Sequence, residues 1–334
     1  MGQMRMDCSG RVVCLLSTFQ ELLRVTLDEQ LRLCDVRRLD SGRGIYFGLT
    51  RGEDEVFVVA RNLDIHKRPL NPGLPTNCVL SLDPDGEGPC RDPWTVPEFA
   101  DLHQVRYRDG LLWVVNGRCP ELLAVDPVAR RCVAGLSLAD LVPAELHHEI
   151  PPQYPGDRYH FNSLHFGRRS LWVLAHNWDW GSFALELDYP SPSAFFRKPR
   201  VLRVVKELGR QAHDLLVEGD RLHALDGDGN RLVTAGPTGP LAGVVLPGPN
   251  HFPRGLGAGE HYFFVAGGAN AVDRQGRETS ASHLTVLDRR SREVVTTLEL
   301  GPFGDTCGVL LLSERDATDS LPRLPRPGQR RLAG

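Results

Sequence analysis

Lysine is almost missing from this chain. Lys67, Lys198 and Lys206 stand alone among 39 lysine and arginine residues, and the rest are arginine. Adaptation to heat enriches lysine and glutamate instead, so the bias reads as the codon usage of a GC-rich, bacterial genome and not as function. Long apolar runs are missing too: none reaches the ~18 residues of a membrane-spanning helix. The start, Met1–Gly10, lacks the basic-then-apolar pattern of a signal peptide. The eight cysteines form no CxxC pair and no regular framework. In a chain of 334 residues they read as the reduced thiols of a cytoplasmic protein. Neither sign of charge dominates, with 39 basic against 42 acidic residues and a formal net charge of −3. Nucleic acid and an anionic membrane are therefore not expected partners. There is also no P-loop, no Rossmann glycine fingerprint, no G-x-S-x-G elbow and no H-E-x-x-H, so no nucleotide cofactor and no zincin chemistry are expected.

What is present is a strand-and-turn pattern. Short stretches rich in Val, Leu and Phe are bounded by Gly, Pro, Asn and Asp, as in Arg11–Ser17, Glu55–Arg61, Leu111–Asn116, Ser170–His176, Arg221–Leu225 and His261–Ala266. Each is followed by a polar turn and another strand, such as Leu122–Asp126, Ala184–Asp188, Arg231–Ala235 and His283–Asp288. Helix signals are nearly absent.

A repeat emerges from the strand that precedes each of these pairs. The six segments are Ile45–Leu49, Asp101–Val105, His160–Leu164, Gln211–Leu215, Phe252–Leu256 and Asp305–Val309. Their fifth residue is always Leu or Val, and their fourth is small or polar. Their third residues are Phe47, His103, Asn162, His213, Arg254 and Cys307. The spacing, from 41 to 59 residues, is that of a four-stranded propeller blade with its loops. Six inner strands predict an all-β, six-bladed β-propeller over 11–313. The first repeat opens directly on an outer strand at Arg11, followed by strands over Gln20–Asp28 and Leu31–Leu39. Its missing inner strand is supplied by Asp305–Leu312, so the C-terminal strand closes the first blade and leaves no open sheet edge. Residues 1–10 read as an extension, and the Pro- and Arg-rich 314–334 as a disordered tail.

This pattern resembles six-bladed propellers of the SMP-30/gluconolactonase and strictosidine-synthase-like kinds, at the level of architecture. The resemblance implies a site at the top of the central channel. The channel metal of the SMP-30 type is held by Glu, Asn and Asp side chains, of which only Asn162 has a counterpart here. Fold alone does not transfer function.

The residues themselves point to the same place. Inner strands surround the channel, and the long polar connections, Asn62–Asn77, Asn116–Glu121, Pro143–Tyr159, Asn177–Ser182 and Ala269–Ser282, open on one face. His103, His213, His160 and Asn162 are the expected ligands of a divalent or redox metal ion, since imidazole suits Zn, Cu, Fe or Ni. Arg254, Cys307, Asp101 and Asp305 are the expected catalytic groups. Arg254 would hold an anion, and Cys307 would become a thiolate beside that guanidinium. Phe47, Gln211 and the Trp178-Asp179-Trp180 loop would form the substrate wall.

This ring reading requires the third residue of each inner strand to reach the channel through strand twist. Otherwise Tyr46, Leu102, Phe161, Ala212, Pro253 and Thr306 would line the mouth. Glu145, His147, His148 and Glu149 suggest a lid, and His66, Lys67 and Arg68 an anionic contact at the rim. Asp226–Asn230 reads as a hairpin turn rather than a calcium loop.

The expected function is an enzyme acting on a small organic molecule at the top of the channel, by hydrolase, lyase, isomerase, cyclase or oxidase chemistry. Metal-free acid–base catalysis by the same His and Asp residues is the alternative. So is a non-catalytic propeller binding a protein or peptide on its rim. The oligomeric state is not legible.

Overall fold

The computed structural model describes residues 10–63, 68–117, 119–150, 156–237, 239–248, 251–269 and 274–312. They form an all-β, six-bladed propeller. The innermost strands, taken around the ring, are Thr306–Leu311, Ile45–Arg51, Leu102–Arg108, Phe161–Phe166, His213–Glu218 and His251–Ala258. They belong to blades one to six in that order. In blade one, Thr306–Leu311 pairs antiparallel with Val12–Thr18, which pairs with Glu21–Leu27 and then Leu33–Ser41. The two ends of the described chain thus meet in one sheet and close the ring.

Five blades have four strands. Blade two has three, Ile45–Arg51, Val56–Arg61 and Asn77–Leu82, and its outer position is reduced to an isolated bridge between Val79 and Trp94. The reason is local. Pro84, Pro89, Pro93 and Pro97 punctuate that stretch, and proline has no N–H to give to a ladder.

The core lies between blades, not inside them. Six apolar clusters fill the six gaps around the ring. Between blades three and four, for instance, Trp113 packs edge-on against Phe166, Tyr189 and Phe195. The fifth residues of the repeat, Leu49, Val105, Leu164, Leu215, Leu256 and Val309, all belong to these clusters. They lock each inner strand to its neighbours.

Each inner strand is also bulged at one place. Its pairing with the next strand shifts by one residue at the third or fourth position of the repeat, between Tyr46 and Leu49, Leu102 and Val105, Phe161 and Ser163, His213 and Leu215, and Pro253 and Gly255. Blade one shifts between Ser17 and Thr18, opposite Cys307. An extra residue breaks the strict alternation of faces. The third and fourth residues therefore both turn to the channel, while Tyr46, Leu102, Phe161 and Ala212 pack in the core. The expectation that twist alone would bring the third residue inward is corrected: a bulge does it.

His66 and Lys67, part of the Ala269–Ser282 loop, and the tail 314–334 lie outside the described residues. The described cysteines are free thiols. Among the described residues no helix is long and apolar enough to cross a membrane.

Candidate functional site at the channel mouth

All six third-position residues come together. Phe47, His103, Asn162, His213, Arg254 and Cys307 line one central cavity with Gly48, Gln104, Ser163 and Asp214. Its volume open to the centre of a water molecule is about 20 Å³, room for about one ordered water. Anything larger sits above it, at the end from which the inner strands start.

Fourth-position side chains in the cavity wall link one blade to the next. Asp214, 2% exposed, accepts from Leu215 N at 2.9 Å, Leu256 N at 2.9 Å and Gln104 Nε2 at 3.1 Å. Its own N–H donates to Ser163 Oγ at 2.9 Å. The carboxylate thereby ties three blades together, and the backbone N–H of the same residue adds a fourth. Asn162 is spent in the same way: its Nδ2 donates to Ala212 O at 2.9 Å, and its Oδ1 accepts from Ser163 Oγ at 2.8 Å.

Above the cavity runs an arc of rings. Phe47, His103, His160, His176, His213 and Phe252 touch in turn, with centroids 4.9, 4.8, 5.3, 5.3 and 5.3 Å apart and each pair edge-on. Each end is capped by a guanidinium over a phenyl face. Arg61 lies 4.6 Å from the Phe47 centroid, and Arg254 lies 5.2 Å from that of Phe252. Arg61 forms an ion pair with Asp101 and approaches His103 Nε2 at 3.5 Å. Arg254 donates from Nη2 to His213 Nε2 at 3.0 Å and stands 3.9 Å from Asp305.

Burial sets the electrostatics. It pushes His103 down to about 4, although Asp101 pulls the other way. It holds His176 and His213 well below the ordinary imidazole range, with His160 and Arg254 respectively adding to the effect. These rings are neutral at pH 7. For Asp101, burial alone would raise the carboxyl, but Arg61, His103 and His160 outweigh it and hold it well below the usual range. Asp305 is pushed up to about 6 by burial against the pull of Arg254 and Arg277. The expectation of a Cys307 thiolate meets the same force. Arg254 does lower this thiol, but burial wins and pushes it up to about 12, so the sulfur keeps its proton at neutral pH.

One imidazole is held differently. His160 Nδ1 lies 2.6 Å from Asp157 Oδ2, and its backbone N–H donates to Asp157 Oδ1 at 2.8 Å. The carboxylate oxygen accepts, so a proton of this ring sits on Nδ1. Next to it, His176 Nδ1 accepts from Trp178 N at 3.3 Å, which leaves the proton on Nε2. His160 and Gln211, at the first position of their repeat segments and just before the inner strands, have positive φ, 48° and 51°, an uncommon backbone for residues with a Cβ that accumulates at functional sites.

The tryptophan loop divides. Trp178 packs on His160 and His176 at 4.7 and 5.1 Å, and its Nε1 donates to Asp157 O at 2.9 Å. Trp180 turns away, 52% exposed, and stacks on His148 at 3.9 Å. Asp179 is exposed. The expected lid is a single turn, Ala144–Leu146, with His147 bonded back to Val142 O at 2.9 Å. Gln211 contributes its carbonyl, which accepts from His213 Nδ1 at 2.7 Å. Asp226–Asn230 is the hairpin turn expected, between Arg221–Asp226 and Arg231–Gly236.

Sequence reasoning missed Arg61, Asp157, His176 and Phe252 as site residues. A signal did exist. The residues facing the first position of each repeat segment lie at or next to the ends of the second strands: Arg61, Gly117, His176, Gly227, Gly268 and Phe19. Three are glycine for a steric reason. A Cβ on Gly117 would fall 2.6 Å from His103 Cδ2, and one on Gly227 would fall 2.7 Å from Phe252. Of the other three, Arg61 and His176 join the arc of rings and guanidinium groups, and Phe19 packs against Arg254, whose guanidinium lies 5.5 Å from its ring centroid.

The donor set does not fit the expected metal as it stands. Guanidinium groups face Nε2 of both His103 and His213, and Asn162 is engaged on both of its amide atoms. Among the described residues no group of three His, Cys, Asp or Glu side chains is placed to hold an ion.

No protein-family model matches this chain, and no curated protein matches its sequence. Solved structures share its architecture. It is similar to a chain of a nidogen/laminin complex, at 10% identity and a TM-score of 0.61, covering 91% of this chain and 100% of the other. It is similar to a protein of unknown function from Bacteroides caccae, at 12% identity and a TM-score of 0.57, covering 90% and 98%. A candidate 6-phosphogluconolactonase from Bacteroides uniformis gives 11% and 0.51, covering 87% and 82%. At such identities the likeness shows the propeller fold alone.

Proposed function

We propose that this propeller is an enzyme that moves a proton on a small anionic organic molecule held in the mouth of its channel. The observation that carries the reading is the 2.6 Å contact between Asp157 and His160 in the middle of the ring arc. A carboxylate on Nδ1 fixes the tautomer and stabilises the imidazolium formed when Nε2 takes a proton, the division of labour found in acid–base dyads. His176, with its proton on Nε2, lies beside it as a donor. Arg254 holds the anionic group, or the negative charge that develops when the proton leaves. Trp178 walls one side. Burial keeps the neighbouring imidazoles neutral, so they do not compete for the proton.

The test is incubation in D2O with a panel of small carboxylates bearing an acidic C–H, an ester or a lactone, followed by NMR. Exchange or turnover by the wild type is expected to fall about 100-fold or more in His160→Gln. A wild type no more active than folded His160→Gln across the panel would sink the enzyme reading and favour a binding scaffold.

A further inference from the structure

A second opening lies outside the channel, between blades one and two. Its volume, by the same measure as the central cavity, is about 460 Å³, within the roughly 300–1,000 Å³ of small-molecule sites. Blade two has no fourth strand here. In its place the proline-rich stretch after Asn77–Leu82 meets blade one and brings Glu87 to the cleft.

The wall and floor are fixed by contacts of their own. Glu87 is paired with Arg24 Nη2 at 2.6 Å and with Arg37 Nη1 at 3.2 Å. Arg37 Nη2 also donates to the carbonyls of Gly86 and Glu87, at 3.2 and 3.1 Å. Gly86, with a φ of 64°, packs so closely that a Cβ would fall 2.9 Å from Leu312 Cδ1. The floor is the buried cross-strand pair Val13 and Thr26, and Arg24 Nη1 donates to Thr26 Oγ1 at 3.2 Å.

Two charges on this cleft are not used by the fold. Arg11 lies just before the strand that carries Val13, and Asp35 lies on the outer strand as the partner of Thr26. Among the described residues neither side chain has a hydrogen bond or an ion pair, with each other or with any other group. The strand Glu21–Leu27 runs between theirs, which sets the two strands about 10 Å apart, twice the spacing of neighbours. A plain anion drawn to Arg11 would also meet the Asp35 carboxylate, and a plain cation drawn to Asp35 would meet Arg11. A molecule that carries both charges satisfies both ends. We propose that this cleft binds a small zwitterion, a free amino acid or a short peptide, with its carboxylate on Arg11 and its ammonium group on Asp35. Val13 offers the apolar contact for its side chain. No covalent bond changes. The inference is independent of the proposed function, because no residue of the channel mouth takes part.

Titration calorimetry of the full chain with alanine, leucine, Ala-Ala and Ala-Ala-Ala, each beside its N-acetyl and C-amide form, tests this. At least one unmodified probe is expected to bind with a Kd below about 1 mM, and its two blocked forms about tenfold more weakly or worse. Cys34, exposed on the same cleft, serves as a reporter: the bound probe should slow its alkylation by iodoacetamide about threefold or more, read by mass spectrometry. Arg11→Met and Asp35→Asn remove side chains that hold nothing in the fold. Each should keep the wild-type melting temperature and lose binding about tenfold. The chain length that binds best separates an amino acid from a peptide as the ligand. No binding of any unmodified probe at about 10 mM would overturn the inference. So would an N-acetyl form that binds as tightly as its parent, which marks a plain carboxylate site, or binding that survives in both variants, which places the ligand elsewhere.

Discussion

Nη2 of Arg254 donates to Nε2 of His213 across 3.0 Å, while Nδ1 of the same ring donates to Gln211 O at 2.7 Å. Both nitrogens of this buried imidazole are therefore committed, and a cation lies where a metal would have to bind. Protein purified without a tag is expected to carry no stoichiometric transition metal by elemental analysis. Near-stoichiometric metal, lost in a folded His103→Ala/His213→Ala variant, would reverse that expectation and restore a metal centre.

Acid should weaken the fold. Burial lowers His103 to about 4 and His165, His176 and His213 well below the ordinary range, whereas all four titrate near ~6.5 once unfolded. The unfolded chain binds more protons in that interval. This stability is fully present above about pH 6.5 and is lost as the pH falls through 6 toward 4. Asp305, Asp214 and Asp228, raised by burial, act in the opposite sense, but burial also lowers His223, His251 and His283, so the lowered imidazoles outnumber the raised carboxyls. A calorimetric midpoint that is level from pH 7 to 8 and drops between 6 and 4.5 is expected. His165 should dominate the loss, because among the described residues neither of its ring nitrogens has a partner. His165→Leu is expected to gain about 1 kcal/mol at pH 7 and to flatten the acid limb. A loss of stability in that variant would show that His165 has a hydrogen-bond partner after all.

Asp214 should matter to the fold more than any other channel residue. Removing it leaves the N–H groups of Leu215 and Leu256 and the amide of Gln104 without their acceptor. It also leaves Arg106, 3.5 Å away, without its counter-ion. Urea unfolding of Asp214→Ala is expected to show a loss of about 3–5 kcal/mol. A loss below 1 kcal/mol would mean that the blades do not depend on this tie.

The two tryptophans of one loop should separate cleanly. Trp178→Ala removes a ring from His160 and His176 and an N–H from Asp157 O. It is expected to reduce turnover about tenfold or more, roughly the ~1.4 kcal/mol of a lost aromatic contact. Among the described residues Trp180→Ala removes the ring stack on His148 and should leave turnover within about twofold of wild type. Equal losses would place Trp180 in the mouth instead.

Much of the architecture was legible before any coordinate. Six segments with Leu or Val at the fifth position are the mark of strands wedged between neighbours, and those residues do fill the gaps between blades. The pairing of the C-terminal strand with the N-terminal ones followed from a first repeat that lacked an inner strand. The outer strand of blade two was harder to place, since its prolines replace a ladder with one bridge. Within the site, the third-position ring was legible because its residues recur at blade spacing. Asp157 was not, since it lies in a long loop outside the repeat and reaches His160 only through local turn geometry.

The sequence by itself determined the number of blades, the closure of the ring and the set of side chains that meet on its axis. These follow from periodicity, which is local and repeats six times. The tertiary structure alone decided what those side chains can do. A bulge turned the third and fourth residues of each inner strand inward. Guanidinium groups from strands far apart in the chain came to face His103 and His213, while burial kept Cys307 protonated and the imidazoles neutral. Charge state and proton position depend on which groups share a buried space, and no pattern of residue types along one strand specifies that.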